Sequence, residues 1–159
     1  MHYVAAKICR ASEIGINGNL FAGTMLSWLD EAGTAFVGYL CRSQSLITLK
    51  MEEVLFRRPV KISHHVRIYA SVRRVGTTSL TIDVEARRFD FSQDTEELVC
   101  STRIVFVNID DQGNPTRSTA GCVSPSTSPW PTLPGRAESE EHHIENTRHS
   151  CYCLSTKQR

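Results

Sequence analysis

Apolar residues recur at three- and four-residue spacing near the start of the chain and predict one long amphipathic helix. The periodic positions begin at Leu20 and continue to Leu40, and this spacing places them on one face of a helix. We predict the helix over residues 22–40. Small residues at positions 23, 32, 33, 35 and 38 lower its helix propensity. Their presence indicates that another element, such as a sheet, approaches the helix closely.

Beyond the helix, apolar and polar residues alternate with a period of two, which predicts strands. The alternation covers residues 66–73 and 80–87, with the turn Gly76-Thr77-Thr78 between them. An earlier strand is predicted over 46–57 and a last one over 98–109, before the turn at 111–115. One long helix followed by three or four antiparallel strands predicts an α+β domain in which a curved sheet wraps a central helix. Because one helix covers such a sheet incompletely, we expect at least a homodimer.

The hydrophobic periodicity stops near Thr116. Four of the six prolines lie at positions 125, 129, 131 and 134, and a polar run containing histidines follows them. Neither segment has a hydrophobic period. We therefore predict a folded domain at 1–117 and a flexible tail containing Pro, Ser and His at 118–159.

Composition narrows the class of protein. The 159 residues suffice for one packed domain, and a formal net charge of +1 argues against nucleic acid as a partner. No apolar run approaches the roughly 20 residues of a membrane span, and the first residues lack the layout of a secretion signal. We expect a cytoplasmic protein.

The six cysteines are scattered, and Cys9, Cys41 and Cys100 lie within apolar patterns, where a reduced thiol behaves as a small hydrophobe. We expect no disulfide framework. Cys151 and Cys153 have histidines nearby but lack the Cys-x-x-Cys spacing of common zinc sites. We expect neither a metal site nor a bound cofactor.

An acidic residue within the predicted helix supplies the candidate chemistry. Asp30 follows Gly23 by seven residues, about two helical turns, so both lie on one face and the carboxylate leans toward the helix start. Free backbone N–H groups at a helix start stabilise negative charge on a carbonyl oxygen, and a shielded carboxylate activates water or attacks directly. These are the parts of an acyl-transfer hydrolase. Glu31 points elsewhere and is interpreted as structural, and Asn17-Gly18 also suits a plain turn.

Five sequence segments together resemble one family. In order they are N-G-N-L-F-A-G (17–23), M-L-S-W-L-D-E-A-G (25–33), F-R-R-P-V (56–60), V-G-T-T-S (75–79) and D-x-x-G-N-P (110–115). With this order and spacing, residues 10–117 resemble the hotdog-fold acyl-CoA thioesterases, specifically the YciA-like bacterial enzymes and the brain-type acyl-CoA hydrolases. The resemblance does not extend to the tail.

The resemblance implies hydrolysis of acyl-CoA to a free acid and CoA, in an active site between two hotdog units. It places the catalytic roles on Asp30, as general base or nucleophile, and on Asn17 of the other protomer, which positions the water or the thioester. The amide of Gly23, with that of Ala22, would polarise the thioester carbonyl. Family members often have Gly-Gly at this point, so the Ala22 methyl group bears on substrate preference.

The phosphates of CoA call for cations and free amides. Arg58 matches the Arg-Pro pair of the family, and Arg57 is an additional cation. The predicted substrate-binding residues are Ala22, Arg58, Gly76, Thr77, Thr78 and Ser79, with Arg73 and Arg74 as further candidates. Arginines on strands are usually solvated, so each needs structural support.

Two other functions stay open. A hotdog protein can be a non-catalytic acyl-CoA-binding regulator, which would not need the Asp30 carboxylate. A hotdog dehydratase acting on 3-hydroxyacyl thioesters would normally have a histidine in the catalytic loop, and the chain has none between His2 and His64.

The resemblance also bears on oligomeric state, because the resembling enzymes are commonly trimers of dimers.

Overall fold

The computed structural model describes residues 1–117, and the predicted tail at 118–159 lies outside the described residues. The described chain forms one α-helix and five β-strands. In chain order these are β1 (His2–Ile8), α1 (Ala22–Cys41), β2 (Leu46–Phe56), β3 (His65–Val75), β4 (Ser79–Asp90) and β5 (Thr95–Asn108). A short 3₁₀ helix, Ala11–Glu13, lies between β1 and α1.

The five strands form one antiparallel sheet in the order β1-β3-β4-β5-β2. The central strand is β4, while β1 and β2 lie at the two edges. Tight hairpins join β3 to β4 and β4 to β5. Because β2 lies at the edge far from β3, the chain between them crosses the sheet, and this crossing puts residues 57–64 at the same end as the helix start.

One face of the sheet packs against the helix and forms the core. Leu80, Ile82, Val84 and Ala86 of β4 are fully buried, whereas the alternate residues of that strand remain partly exposed. Such alternation puts the apolar side chains of a strand on one face. Helix α1 contacts all five strands. Burial of a large apolar side chain contributes about 1.5–3 kcal/mol, so this shared face carries most of the fold's stability.

The predicted close approach between helix and sheet occurs at Gly33. A Cβ atom there would lie 3.2 Å from the ring of Phe106 and 3.3 Å from Ile104 and Ile82. The three side chains belong to β4 and β5. Glycine at this position therefore lets the centre of the helix rest directly on the centre of the sheet.

The predicted helix boundaries are confirmed to within one residue. The helix begins after Phe21, whose extended backbone makes it the N-cap without a side-chain hydrogen bond. It ends at Arg42, which has a left-handed φ of 49° and donates its N–H to the carbonyls of Gly38 and Tyr39. A left-handed residue at this position is a common way to end a helix.

The outer face of the sheet carries charged side chains that pair across the strands. Arg103 contacts Glu52 at 2.8 Å and Asp83 at 3.3 Å, and Asp83 also contacts Arg73 at 3.2 Å. The four charges alternate in sign across β2, β5, β4 and β3. Arg73, a candidate for binding CoA, is thus engaged in this row.

The four strands that follow the helix confirm the prediction of three or four, whereas strand β1 was not predicted. The sheet has five strands, and β1 precedes the helix. Its register against β3 shifts between Tyr3 and Ala5. Such a bulge interrupts the period of two, and the burial pattern along β1 shows no regular alternation. Strand β1 therefore cannot be predicted from hydrophobic periodicity.

Over residues 1–117, no helix is both long and apolar enough to cross a membrane. The cytoplasmic location stays a prediction.

Candidate active site

Asp30 lies on the flank of α1 that faces edge strand β2, and its side chain is half-buried. The hydroxyl of Thr48 in β2 donates a hydrogen bond to Oδ1 of Asp30 across 2.6 Å. The other oxygen, Oδ2, has no hydrogen-bond partner within the described part of the chain. One carboxylate oxygen is therefore held by the protein, while the other is open to a ligand or a water molecule.

Glu31 lies on the opposite flank of the helix, toward β1. Its carboxylate forms an ion pair with Nζ of Lys7 at 2.6 Å. Consecutive residues of an α-helix are rotated by about 100°, so two neighbouring carboxylates reach opposite edges of the sheet. The interpretation of Glu31 as a structural residue agrees with this ion pair.

Thr48 was not predicted as a site residue from the sequence. In the sheet, Thr48 pairs with Phe106, a fully buried residue of β5. One feature of the sequence could have indicated it: Thr48 carries a hydroxyl and lies near the start of β2, the strand that directly follows the helix of Asp30. A strand position alone does not reveal the contact, because the register between helix and sheet decides which hydroxyl reaches Asp30.

The first turn of α1 presents free backbone N–H groups. The carbonyl of Phe21 accepts from Thr24 N at 3.0 Å and from Met25 N at 3.2 Å. The N–H groups of Ala22 and Gly23 have no acceptor among residues 1–117, and both residues are exposed. This is the donor pair that the sequence predicts for the thioester carbonyl.

Asn17 lies at the tip of the loop that precedes the helix. Gly15 N donates to the carbonyl of Asn19 at 2.8 Å, and Gly18 has a positive φ of 68°. Glycine adopts this backbone conformation without strain. The Asn17 side chain is exposed and has no partner inside the described range. It is therefore free to contact a substrate or a second protomer.

A cavity of about 310 Å³ lies beside the helix start and the loop after β2. Leu20 N donates to the carbonyl of Val60 at 2.6 Å and joins these two segments. Nε of Arg58 contacts Oε1 of Glu97 at 2.8 Å. The cavity is lined by Asn19, Leu20, Met25, Phe56, Arg57, Arg58, Pro59 and Val60.

The hairpin at 76–79 lies at the other end of the sheet. Asn108 N donates to the carbonyl of Thr78 at 3.0 Å, and Ser43, just beyond the helix end, donates its hydroxyl to the Asn108 side chain at 3.2 Å. The hairpin at 76–79 therefore lies toward the end of α1, whereas Ala22 and Arg58 lie near its start. Within one protomer the structure does not bring the predicted substrate-binding residues together.

Among residues 1–117, no group of three or more His, Cys, Asp or Glu side chains is arranged to hold a metal ion. Cys151 and Cys153 lie outside the described residues.

Comparison with known proteins gives a family match over part of the chain. The model of the Thioesterase superfamily matches residues 17–91, which include the loop of Asn17, helix α1 with Asp30, and strands β2 to β4. Over these residues the chain is similar to the Thioesterase superfamily. The match covers the three predicted catalytic residues, although it assigns no role to any of them.

Individual proteins are also similar to this chain. An uncharacterized acyl-CoA thioester hydrolase from Buchnera aphidicola subsp. Schizaphis graminum is 26% identical over 115 residues, which are 70% of this chain and 84% of that protein. A hexameric hotdog fold thioesterase from Campylobacter jejuni is 28% identical, with a TM-score of 0.63 over 74% of this chain and 90% of that chain. The predicted hotdog fold is thereby confirmed.

A second similar structure was solved with its ligands. It is an acyl-CoA hydrolase from Staphylococcus aureus in complex with butyryl coenzyme A, coenzyme A and coenzyme A disulfide. It is 23% identical, with a TM-score of 0.67, and the match covers 71% of this chain and 68% of that one. At this identity the similarity concerns the fold.

Proposed function

We propose that the protein is an acyl-CoA thioesterase that hydrolyses acyl-CoA to a free carboxylic acid and CoA. The observation that carries this proposal is the Asp30 carboxylate, held at one oxygen by Thr48 and open at the other, in a domain whose helix start has free N–H groups. Relatives with this domain are named acyl-CoA thioester hydrolases. A binding function alone does not require such a carboxylate.

Distances along the helix favour an active site shared by two protomers. Seven residues of α-helix rise about 10 Å, which separates Gly23 from Asp30 of the same chain. A carbonyl oxygen and an attacking water each lie about 3 Å from their catalytic groups. One thioester therefore fits poorly between both groups of a single helix. We infer that Gly23 and Asn17 of one protomer act with Asp30 of the other.

The exposed apolar side chains of edge strand β2 support a second copy as the partner. Ile47 and Leu49 are 46% and 61% exposed, and Leu55 and Phe56 are 39% and 51% exposed. An unpaired strand edge with such residues favours pairing with another strand. Asp30 and Thr48 lie beside this edge. We propose a homodimer with its active sites near β2, and a trimer of dimers as the larger assembly, because the Campylobacter jejuni and Yersinia pestis thioesterases are hexameric.

The separation of the predicted substrate-binding residues within one protomer supports the same assembly. Arg58 and Ala22 lie at the helix start, and the hairpin at 76–79 lies at the helix end. A ligand as long as acyl-CoA contacts both groups when they come from different protomers. We therefore keep Ala22, Arg58, Gly76, Thr77, Thr78 and Ser79 as the proposed CoA and acyl contacts of an oligomeric site.

Variants of the Staphylococcus aureus hydrolase inform the choice of residues. Alanine replaces an aspartate in one variant and a threonine 17 positions later in another, and in this chain Thr48 follows Asp30 by 18 positions. A third variant replaces an asparagine 15 positions before that aspartate. In this chain the same spacing falls on Gly15, and Asn17 lies 13 positions before Asp30. The assignment of Asn17 therefore needs its own test.

In the proposed reaction, Asp30 accepts a proton from a water molecule whose oxygen bonds to the thioester carbon. The carbonyl oxygen becomes negative and is stabilised by the N–H groups of Gly23 and Ala22. The carbon–sulfur bond then breaks, and the CoA thiolate takes up the proton. The alternative is direct attack by Asp30, which forms an anhydride that water hydrolyses. If water attacks the aspartyl carbon of this anhydride, a single turnover in ¹⁸O-labelled water leaves label in Asp30, which general-base catalysis does not.

The deciding experiment measures thiol release from acetyl-, butyryl-, octanoyl- and palmitoyl-CoA. We expect turnover by the wild type and loss of turnover in Asp30→Ala and in Asn17→Ala, with unchanged melting temperature and oligomer size. Unimpaired turnover in Asn17→Ala would remove that residue from the mechanism and leave the thioesterase proposal intact. Absence of turnover by the wild type on all four substrates, with acyl-CoA binding retained, would favour a regulator.

The surroundings of His64, which lies near the helix start, do not support a dehydratase function. Burial, followed by the charges of Arg88 and Lys61, lowers the pKa of His64. Its Nδ1 accepts a hydrogen bond from the backbone of Lys61 at 3.0 Å. The ring is thus held by its own loop.

A further inference from the structure

Two consecutive arginines, Arg57 and Arg58, line the cavity of about 310 Å³ beside the helix start. The resemblance to known thioesterases points to Arg58, because this residue precedes the proline. The structure gives the two arginines different surroundings. These differences determine which guanidinium is available to an incoming anion.

Arg58 is held by the protein itself. Its Nε contacts Oε1 of Glu97 at 2.8 Å, and Oε2 of the same carboxylate contacts Nη2 of Arg88 at 2.5 Å. Glu97 thus joins the loop after β2 to strands β4 and β5. With Nε in this ion pair, only the Nη groups of Arg58 remain for a phosphate, and the adjacent negative charge of Glu97 disfavours an anion there.

Arg57 has a fixed backbone and a free side chain. Its N–H donates to the carbonyl of Val99 in β5 at 2.9 Å, which anchors the residue to the sheet. Its guanidinium is exposed and has no hydrogen bond or ion pair to any residue of the described range. Binding an anion would therefore cost Arg57 no existing partner.

The walls of the cavity suit a phosphorylated ligand with an apolar arm. Two arginines and Asn19 supply its polar groups, and no acidic side chain lines it. The remaining lining is apolar and includes Leu20, Met25 and Val60. A guanidinium pairs well with phosphate oxygens because it offers several donors in one plane.

We propose that Arg57, and not Arg58, is the cation at this cavity that binds a phosphate group of the CoA part of the substrate, while Arg58 positions the loop through Glu97. This inference rests on the proposed thioesterase function. It assigns recognition of the nucleotide end of the substrate to a residue outside the Arg-Pro pair.

The test compares two thioesters of the same acyl group, butyryl-CoA and butyryl-N-acetylcysteamine, since only the first carries phosphates. Arg57→Gln should raise KM for butyryl-CoA about tenfold and leave kcat unchanged, because one charge-assisted contact to phosphate is lost. The same variant should leave kcat/KM for the N-acetylcysteamine thioester within twofold of wild type. Lys61→Gln is the matched control, because it removes one positive charge from the same loop outside the cavity lining, and both parameters should stay unchanged.

Arg58→Gln separates the two arginines. It should lower the melting temperature only slightly, because the ion pair with Glu97 that it breaks is largely exposed, and it should affect KM for butyryl-CoA less than Arg57→Gln does. The proposal is overturned if Arg57→Gln leaves KM for butyryl-CoA within twofold of wild type, if it impairs both thioesters equally, or if Arg58→Gln has the larger effect on KM.

If the protein is not a thioesterase, the kinetic comparison gives a different result from an incorrect assignment of Arg57. If the wild type hydrolyses neither thioester, titration calorimetry with CoA still tests Arg57. Tenfold weaker CoA binding by Arg57→Gln supports the assignment. Equal binding by the variant, or no measurable CoA binding by the wild type, overturns it.

Discussion

The hydroxyl oxygen of Thr48 lies 2.6 Å from Oδ1 of Asp30, and this hydrogen bond joins edge strand β2 to helix α1. The contact restrains the carboxylate at one oxygen and leaves the other available. A catalytic carboxylate needs this combination, because its geometry must be set before the substrate arrives. Thr48 is therefore proposed as the positioning residue for Asp30.

Removal of the Thr48 hydroxyl should slow catalysis without weakening substrate binding. We expect Thr48→Val to lower kcat about tenfold, which corresponds to the loss of one hydrogen bond to a charged group. KM should change less than twofold. Steady-state kinetics check this split, and Thr48→Ser should restore most of kcat because it keeps the hydroxyl. Equal kcat values for Thr48→Val and wild type would exclude a positioning role.

Replacement of Asp30 should lower kcat, whereas replacement of the adjacent Glu31 should not. Asp30→Asn should lower kcat about a hundredfold or more, since a general base contributes at least that much. Glu31→Gln breaks only the ion pair with Lys7, and the Glu31 side chain is 67% exposed. This substitution should therefore leave kcat within twofold of wild type. Thiol release by both variants, beside their melting temperatures, tests the pair. A large loss in Glu31→Gln would mean that the wrong carboxylate had been selected.

Gly33→Ala should destabilise the protein. The added methyl group would lie 3.2 to 3.3 Å from Phe106, Ile104 and Ile82, and overpacking a core costs about 1–3 kcal/mol. Urea unfolding should show this loss even though alanine favours a helix by about 1 kcal/mol.

Gly38→Ala is the control for that substitution. Its methyl group would meet only the carbonyl oxygen of Ser43, at 3.4 Å, so the free energy of unfolding should stay constant or rise by up to about 1 kcal/mol. Equal destabilisation by both variants would contradict the packing explanation.

Tyr69 should make the protein sensitive to alkaline pH. Burial and the neighbouring Glu96 raise the pKa of Tyr69 to about 12, and its hydroxyl donates to Oε1 of Glu96 at 2.6 Å. In the unfolded chain a tyrosine ionises near pH 10. The stabilisation from Tyr69 is therefore complete below pH 10 and is lost as the pH rises from 10 to about 12, by up to about 3 kcal/mol.

Urea unfolding at pH 9 and pH 11.5 tests this linkage against Tyr69→Phe, which cannot ionise. Wild type should be the more stable of the two at pH 9, and its advantage should shrink or reverse at pH 11.5. A constant difference between the two proteins at both pH values would show that Tyr69 does not titrate with an altered pKa. Other tyrosines and lysines ionise in both proteins and so do not affect the comparison.

Most of the secondary structure followed from local periodicity. The helix over 22–40 and the strands around 66–73, 80–87 and 98–109 all appear in the fold. These elements repeat their apolar residues at the spacing that one buried face demands. Strand β1 escaped prediction because a bulge shifts its register between Tyr3 and Ala5, and a periodicity criterion requires an uninterrupted pattern.

The candidate site was predictable only in part. Asp30, Gly23 and Asn17 lie within 14 consecutive residues, so one motif carries all three. Thr48 contributes from the next strand, and its contact with Asp30 depends on how β2 packs beside the helix. The sequence also suggested one common group for Arg58 and residues 76–79, whereas the fold places them at opposite ends of a 20-residue helix.

The sequence by itself determined the helix, most strands and the resemblance to the thioesterases, because these depend on residue patterns that are local along the chain. The tertiary structure decided that Thr48 contacts Asp30, that Glu97 contacts Arg58 while Arg57 has no partner among residues 1–117, and that the predicted substrate-binding residues lie at opposite ends of the helix within one protomer. These relationships join residues 18 to 39 positions apart. They depend on strand order and register, which follow from the packing of the whole sheet against one helix.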